Sequence, residues 1–216
     1  YDEDDFSDIS NINPPTDKFR ITYTGIFNEQ QNPQKFFSAV NKLINQNNEF
    51  KSKLNLRLIG QLDNPGDFEN FNFFKELKLD QYSDIIEYQP HNLVISEMHQ
   101  ATILLLLIGD YPHGESVMTG KIFEYLRAGR PILAVVPPNG IAAEVIRETN
   151  SGFVASTKSE QDIAECISKL FDLFLKGDLE KTFSRKNIEM YSRKNLTVSL
   201  SKVFENLINQ SQNKNA

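Results

Sequence analysis

Two short stretches restrict this chain more than any others: TILLLLIG at 102–109 and PILAVVP at 131–137. Each is a continuous apolar run. A strand with one wet face would alternate apolar and polar residues, so unbroken runs fit central strands of a parallel sheet covered on both faces. No run of eighteen apolar residues occurs, and no transmembrane helix is expected.

Strand and helix signals alternate around these runs. FRITYTG (19–25) and LNLRLIG (54–60) read as strands that stop at glycine. SDIIEYQ (83–89) reads as a short strand and GFVAS (152–156) as another. Helical spacing recurs in PQKFFSAVNKLINQ (33–46), FENFNFFKELKL (68–79), NLVISEMHQA (92–101) and GIAAEVIRET (140–149). A further helix carries Ile163, Ile167, Leu170, Phe171 and Phe174 on one face, with Ser159 as its N-cap. A last helix, 195–209, carries Leu196, Leu200, Val203, Phe204, Leu207 and Ile208 on one face. Strands alternating with helices predict an α/β doubly wound, parallel six-stranded Rossmann-like sheet in the order 3-2-1-4-5-6. Residues 1–17, acidic and containing NPPTD, read as an interdomain linker; 18–208 read as one domain; 209–216, NQSQNKNA, read as a disordered tail.

With 216 residues, 39% hydrophobic, the chain can bury a sizeable core. A formal net charge of −6 disfavours general binding to nucleic acid. Cys166 is the only cysteine, which excludes an internal disulfide and any multi-cysteine metal site; a reducing, cytoplasmic setting is the simplest expectation.

In the predicted strand order, ligands bind beyond the carboxyl ends of strands 1 and 4, where the order reverses. The loops there are 25–33 and 109–120. The second, GDYPHGESVMTG, feeds a helix whose first turn holds Lys121. The macrodipole disfavours a cation at that end, so Lys121 either extends into solvent or shares the helix N-terminus, at Thr119 and Gly120, with a bound anion such as phosphate. Glu124, three residues on, either pairs with Lys121 on the surface or accepts hydrogen bonds from the vicinal hydroxyls of a ribose. Gly25 permits close backbone approach to a ligand; Gly60 is read as a turn residue. Neither G-x-G-x-x-G nor G-x-x-x-x-G-K-[ST] occurs. His91, His99 and His113 have no metal-ligand spacing; His99 is expected to be structural and His113 to lie in the long loop.

SVMTGKIFEYLRAGRPILAV (116–135) resembles the nucleotide-sugar-binding segment of GT-B glycosyltransferases of the group-1 (retaining, glycogen-synthase-like) family. YDEDDF, YTGIFNEQQNPQKFFSAVNKL, SGFVAS and YSRKNLTVSLSKVFENL resemble, in order, the interdomain stretch and the elements that open and close that family's second domain. The resemblance implies the C-terminal half of a GT-B fold, the half that holds the sugar nucleotide, with the acceptor half preceding Tyr1 and absent. It implies a UDP- or GDP-linked donor, no metal or other cofactor, and a product in cell-envelope polysaccharide or glycolipid. It further implies peripheral contact with the inner face of the membrane through the absent half, and no transfer by this fragment alone. By position, Lys121 would meet the diphosphate and Glu124 the ribose. Gly25 and Ile26 would lie by the phosphates, and Tyr88 and Gln89 by the base. The sequence departs from the family twice. Gln31 stands where a basic residue is common. Ser116 stands where the first acid of E-x7-E would be, with Glu115 one residue off. These departures favour the alternative, a non-catalytic α/β nucleotide-binding or interaction module with a degenerate donor site.

Overall fold

A computed structural model describes residues 1–7 and 13–214. The strands are β1 (Phe19–Ile26), β2 (Leu54–Gln61), β3 (Ser83–Ile86), β4 (Ile103–Leu107), β5 (Ile132–Val136) and β6 (Gly152–Ser156). The helices are α1 (Gln34–Gln46), α2 (Asn48–Lys53), α3 (Glu69–Glu76), α4 (His91–His99), α5 (Gly120–Ala128), α6 (Ile141–Glu148), α7 (Glu160–Lys176), α8 (Leu179–Thr182) and α9 (Arg193–Lys214). All strand pairs are parallel, in the order β3-β2-β1-β4-β5-β6. This is the α/β sheet, and the strand order, that the sequence predicts.

The two apolar runs are continuous because each strand feeds two cores. Ile103, Leu105 and Leu107 of β4, with Leu133 and Val135 of β5, pack into one core with α1 and α7. Leu104 and Leu106, with Ile132, Ala134 and Val136, pack into the other with α5 and α6. Successive side chains point to opposite faces, so a strand buried on both needs apolar residues at every position. Burial of a Leu or Ile side chain stabilises by about 1.5–3 kcal/mol. Strand β1 is less apolar because its second face carries Arg20, Thr22 and Thr24. Thr24 Oγ1 lies 3.1 Å from the hydroxyl of buried Tyr125.

Local signals set the helix ends. Ser159 Oγ accepts from the Asp162 amide at 3.1 Å, which caps α7, and Gly177 ends it in the left-handed region at φ 68°. Asp63, buried between β2 and α3, accepts from the amides of Asn70 and Phe71 and so satisfies donors at the start of α3.

Four expectations need correction. The helix expected over 68–79 stops at Glu76; Lys78 turns left-handed, and Leu79–Tyr82 form a 3-10 turn. The third strand ends at Ile86 rather than 89: its pairing with β2 stops at Ile59, and the next β2 residue, Gly60, at φ 123°, pairs only with Gly25 of β1 on the other side. The opening segment is not a free linker over its first residues. Tyr1 and Phe6 are buried in the second core, the Arg127 guanidinium sits 5.0 Å from the Phe6 ring, and Glu3 pairs with Arg127 at 2.8 Å. Two aromatic anchors hold a segment that has no periodic pattern; residues 8–12 lie outside the described residues. Finally, α9 runs on through Lys214, into the stretch read as a disordered tail. No Gly or Pro interrupts it between Arg193 and Lys214, so nothing in the backbone stops the helix. Residues 215–216 lie outside the described residues. On α9, Leu196, Leu200, Val203, Phe204 and Leu207 are each about half exposed.

Gly152 shows how closely the sheet edge is built. A Cβ there would lie 1.9 Å from the carbonyl oxygen of Ile132 on the adjacent strand. That neighbour is backbone of β5, paired on both sides in the sheet, and cannot yield cheaply. We predict that Gly152→Ala destabilises the fold by roughly 3 kcal/mol or more in urea unfolding. Gly177→Ala has open space around its Cβ and only its positive φ to strain it, and should lose about 1 kcal/mol.

Candidate functional site

The sheet order reverses between β1 and β4, and the loops that leave these strands meet there. Gly109, just after β4, donates its amide to the carbonyl of Gln30 at 2.7 Å, which ties loop 109–120 to loop 25–33. Beside this junction lies an open cleft of about 340 Å³, within the size range of ligand sites. Its wall combines the ends of β1 and β2 (Thr24, Gly25, Ile26, Ile59, Gly60, Gln61), the segment after β3 (Tyr88, Gln89), the start of α4 (His91, Val94) and two residues of α5, Lys121 and Glu124.

Helix α5 is placed by its apolar face. Ile122, Tyr125, Leu126 and Ala128 are buried, and Gly129 ends the helix at φ 71°. Tyr125 is the fully enclosed ring of this face, while Phe123 is half-buried. Its hydroxyl is fixed by Thr24, which anchors α5 against the end of β1. The first turn of α5 therefore faces the cleft.

Lys121 does not extend into solvent. Its Nζ donates to the Tyr23 hydroxyl at 3.0 Å and to Gln31 Oε1 at 3.2 Å, and it lies 4.3 Å from the Tyr23 ring centroid. Tyr23 in turn donates to Gln31 Oε1 at 2.7 Å and stacks on Phe27. All these partners are neutral, and among the described residues no carboxylate forms an ion pair with Lys121. Burial pushes its pKa down to about 8, against the opposing effect of Glu124. Burial also holds the Tyr23 phenol well above its usual range, so it stays a neutral donor.

Gly25 makes room for this lysine. It sits at φ 125°, and a Cβ there would meet Lys121 Nζ at 2.6 Å. Gly60, read from sequence as a turn residue, is instead the register partner of Gly25; a Cβ on it would lie 2.1 Å from the Gly25 carbonyl oxygen. Both glycines are dictated by close approach at the cleft floor. The surface pair of Lys121 with Glu124 does not form. Glu124 Oε1 instead meets His91 Nε2, at the start of α4, at 3.1 Å.

Of the residues proposed from sequence, Gly25, Ile26, Tyr88, Gln89, Lys121 and Glu124 share the cleft wall. Thr119 and Gly120 stand at the start of α5, outside that wall. Thr119 Oγ1 is buried with no hydrogen-bond partner, and the space over Gly120 is open. Glu115 and Ser116 are not brought to the cleft. Both are exposed, in a 3-10 turn Gly114–Ser116 whose Gly114 is buried, with the Glu115 backbone against Gly140. His113 adopts a left-handed conformation in that loop and is not part of the wall, and His99 is structural, its Nδ1 2.9 Å from the Ile95 carbonyl. Sequence reasoning missed Tyr23, Thr24, Ile59, Gln61, His91 and Val94. Tyr23, Thr24, Ile59 and Gln61 have only their nearness to strand ends as a sequence signal, and His91 and Val94, on α4, have none. Among the described residues no three His, Cys, Asp or Glu side chains converge as a metal site, and no helix is long and apolar enough to cross a membrane.

The sequence profile of the group 1 glycosyl transferases matches residues 4–195, and the chain belongs to that family. A search of curated protein sequences finds no match. Solved structures share the fold at low identity. Sucrose-phosphate synthase from Thermosynechococcus elongatus superposes with a TM-score of 0.68 at 12% identity, over 91% of this chain and 47% of that one. HepE of Anabaena, in complex with UDP and glucose, gives 0.66 at 14% identity, over 89% and 49%. The C-terminal domain of LpcC, a group 1 family glycosyl transferase from Francisella tularensis, gives 0.63 at 19% identity, over 88% and 95%. The chain thus spans about half the length of the first two proteins and matches the isolated C-terminal domain of the third almost end to end.

Lys121 has a testable signature in stability. Its folded pKa, about 8, lies below the ordinary lysine value of 10.5. Between these values the unfolded chain binds more protons than the folded one, so this residue makes stability rise with pH across that window; below about 8 the burial penalty is full. Lys121→Met removes the charge and leaves Tyr23 free to donate to Gln31. We predict that the variant is more stable than the parent at pH 7, and that its advantage shrinks between pH 8 and 10.5, measured by urea unfolding at fixed ionic strength. An advantage that stays constant across this window would show that Lys121 is not held charged and buried.

Proposed function

We infer that the chain is the donor half of a glycosyltransferase, holding a nucleoside diphosphate sugar in the cleft at the β1–β4 switch point. One observation carries this reading: the ammonium of Lys121 is buried among neutral hydrogen-bond partners at a helix N-terminus, and among the described residues no carboxylate forms an ion pair with it. An anion is the missing partner, and a diphosphate fits the free amides and dipole of α5. The unpartnered hydroxyl of Thr119, at the same helix end, is a ready donor to a phosphate oxygen. Glu124, on the same face, accepts from the ribose hydroxyls; Gly25 and Ile26 line the phosphates, and Tyr88 and Gln89 the base. The family and the UDP complex of HepE support a uridine nucleotide, with guanosine as the second candidate.

The chemistry follows from charge. Transfer breaks the bond between the sugar anomeric carbon and the diphosphate oxygen, and negative charge grows on that leaving oxygen. Lys121 and the α5 N-terminus are positioned to stabilise it, which is the larger part of what such a site contributes. The acceptor belongs to the other half of the protein, since the structural relatives are about twice as long. A cell-envelope polysaccharide or glycolipid product, a cytoplasmic setting at the inner membrane face and inactivity of residues 1–216 alone are parts of the same proposal. Closure of two halves, which excludes water and aligns the reacting atoms, supports that inactivity. The second reading, a binding module without catalysis, draws on Gln31 and on the exposed turn that carries Glu115 and Ser116. The cleft has one cation, and no acid stands at the first E-x7-E position.

Titration of the chain with UDP, GDP and ADP, followed by amide chemical shifts, tests the reading. Shifts should concentrate at 25–31 and 109–125. Lys121→Ala should weaken UDP roughly tenfold or more while changing uridine little; an equal loss for both would remove Lys121 from the phosphate site. Glu124→Gln should weaken UDP more than its 3′-deoxy form. Acceptor-dependent transfer by residues 1–216 at the rate of the two-domain enzyme would overturn the division of labour proposed above.

A further inference from the structure

We propose that His91 is a positioning residue of this site, holding the Glu124 carboxylate away from Lys121 so that the cleft keeps a separate cation and anion. The inference rests on the donor-site reading above for its consequence, though not for its geometry. Lys121 and Glu124 are three residues apart on α5, the spacing at which opposite charges on a helix meet. They do not meet. Lys121 is drawn inward to Tyr23 and Gln31, while Glu124 Oε1 meets His91 Nε2 at 3.1 Å. His91 is the first residue of α4, which follows the edge strand β3. The contact therefore joins two neighbouring helices that both line the cleft.

The geometry leaves each charge one open valence. The other oxygen of Glu124 has no hydrogen-bond partner among the described residues. With Oε1 occupied by the imidazole, the other oxygen of this cleft-lining residue remains an acceptor for a vicinal diol. Lys121 keeps a third N–H beyond its two neutral acceptors. Without His91, Glu124 has one strong local partner left within its own helix turn, and that partner is Lys121. The site would then neutralise itself, and diphosphate and ribose would lose their partners together.

The test has a ligand-free arm and a ligand arm. In the ligand-free protein, the Lys121 titration followed by side-chain NMR should rise by roughly one pH unit in His91→Ala, as the carboxylate swings toward the ammonium. It should stay near the parent value in His91→Gln, whose amide can still donate to Glu124. An unchanged titration in His91→Ala would overturn the proposal, whatever the ligand. In the ligand arm, His91→Ala should weaken UDP by roughly three- to tenfold and bring the ratio of UDP to 3′-deoxy-UDP affinity toward one, with recovery in His91→Gln. The double variant His91→Ala/Glu124→Gln should discriminate no less than Glu124→Gln alone. Additive losses, or full discrimination in His91→Ala, would overturn the positioning role. If the parent chain binds none of UDP, GDP and ADP, the donor reading fails, and the ligand-free arm still decides whether His91 separates the two charges.

Discussion

The site depends on one constraint of chain geometry: β1 and β4 lie side by side and parallel, yet the segments that follow them leave to opposite faces of the sheet. Crossovers between parallel strands are right-handed. The chain from β1 goes to β2 on one side, and the chain from β4 goes to β5 on the other, so the two connecting helices must cover different faces. Helix α1 accordingly packs in the core with α7, and α5 in the core with α6. A crevice opens where the connections diverge. The Gly109–Gln30 hydrogen bond and the Gly25–Gly60 register pair set how near its walls can come.

Into that crevice the protein puts a charge that its own fold does not neutralise. A buried lysine ordinarily gains a carboxylate partner or gives up its proton. Lys121 does neither fully. It is held by a phenol, an amide oxygen and an aromatic face, and its proton affinity falls only part of the way. The nearest acid in sequence is engaged elsewhere, by His91. Keeping a buried cation without a carboxylate partner costs stability, and such perturbed groups cluster at functional sites. Gln31 belongs to the same network. Its side-chain oxygen receives both Tyr23 and Lys121, so the residue that departs from the family's basic pattern here orients the remaining cation.

The sequence by itself determined the sheet. Unbroken apolar runs at 102–109 and 131–137 leave a strand no wet face, and helical periodicity between strands leaves parallel crossovers as the connection. Order and handedness then follow from general rules. It also pointed to the switch point as the place to look for a site, since that point depends only on strand order, and Lys121 stood out as a cation at the wrong end of a helix. The tertiary structure decided what each side chain meets. The same spacing allowed Glu124 to pair with Lys121 or to stand apart; only the packing of α4 beside α5, bringing His91, settled that. Gly60 looked like a turn until its pairing with Gly25 showed a backbone approach. Tyr23 looked like one more alternating strand residue until α5 laid an ammonium over it. The opening segment looked unstructured because two aromatic anchors form no period. Local patterns report which face of an element is buried; they carry no record of which distant group will arrive at it, and the chemistry of this cleft is made of such arrivals.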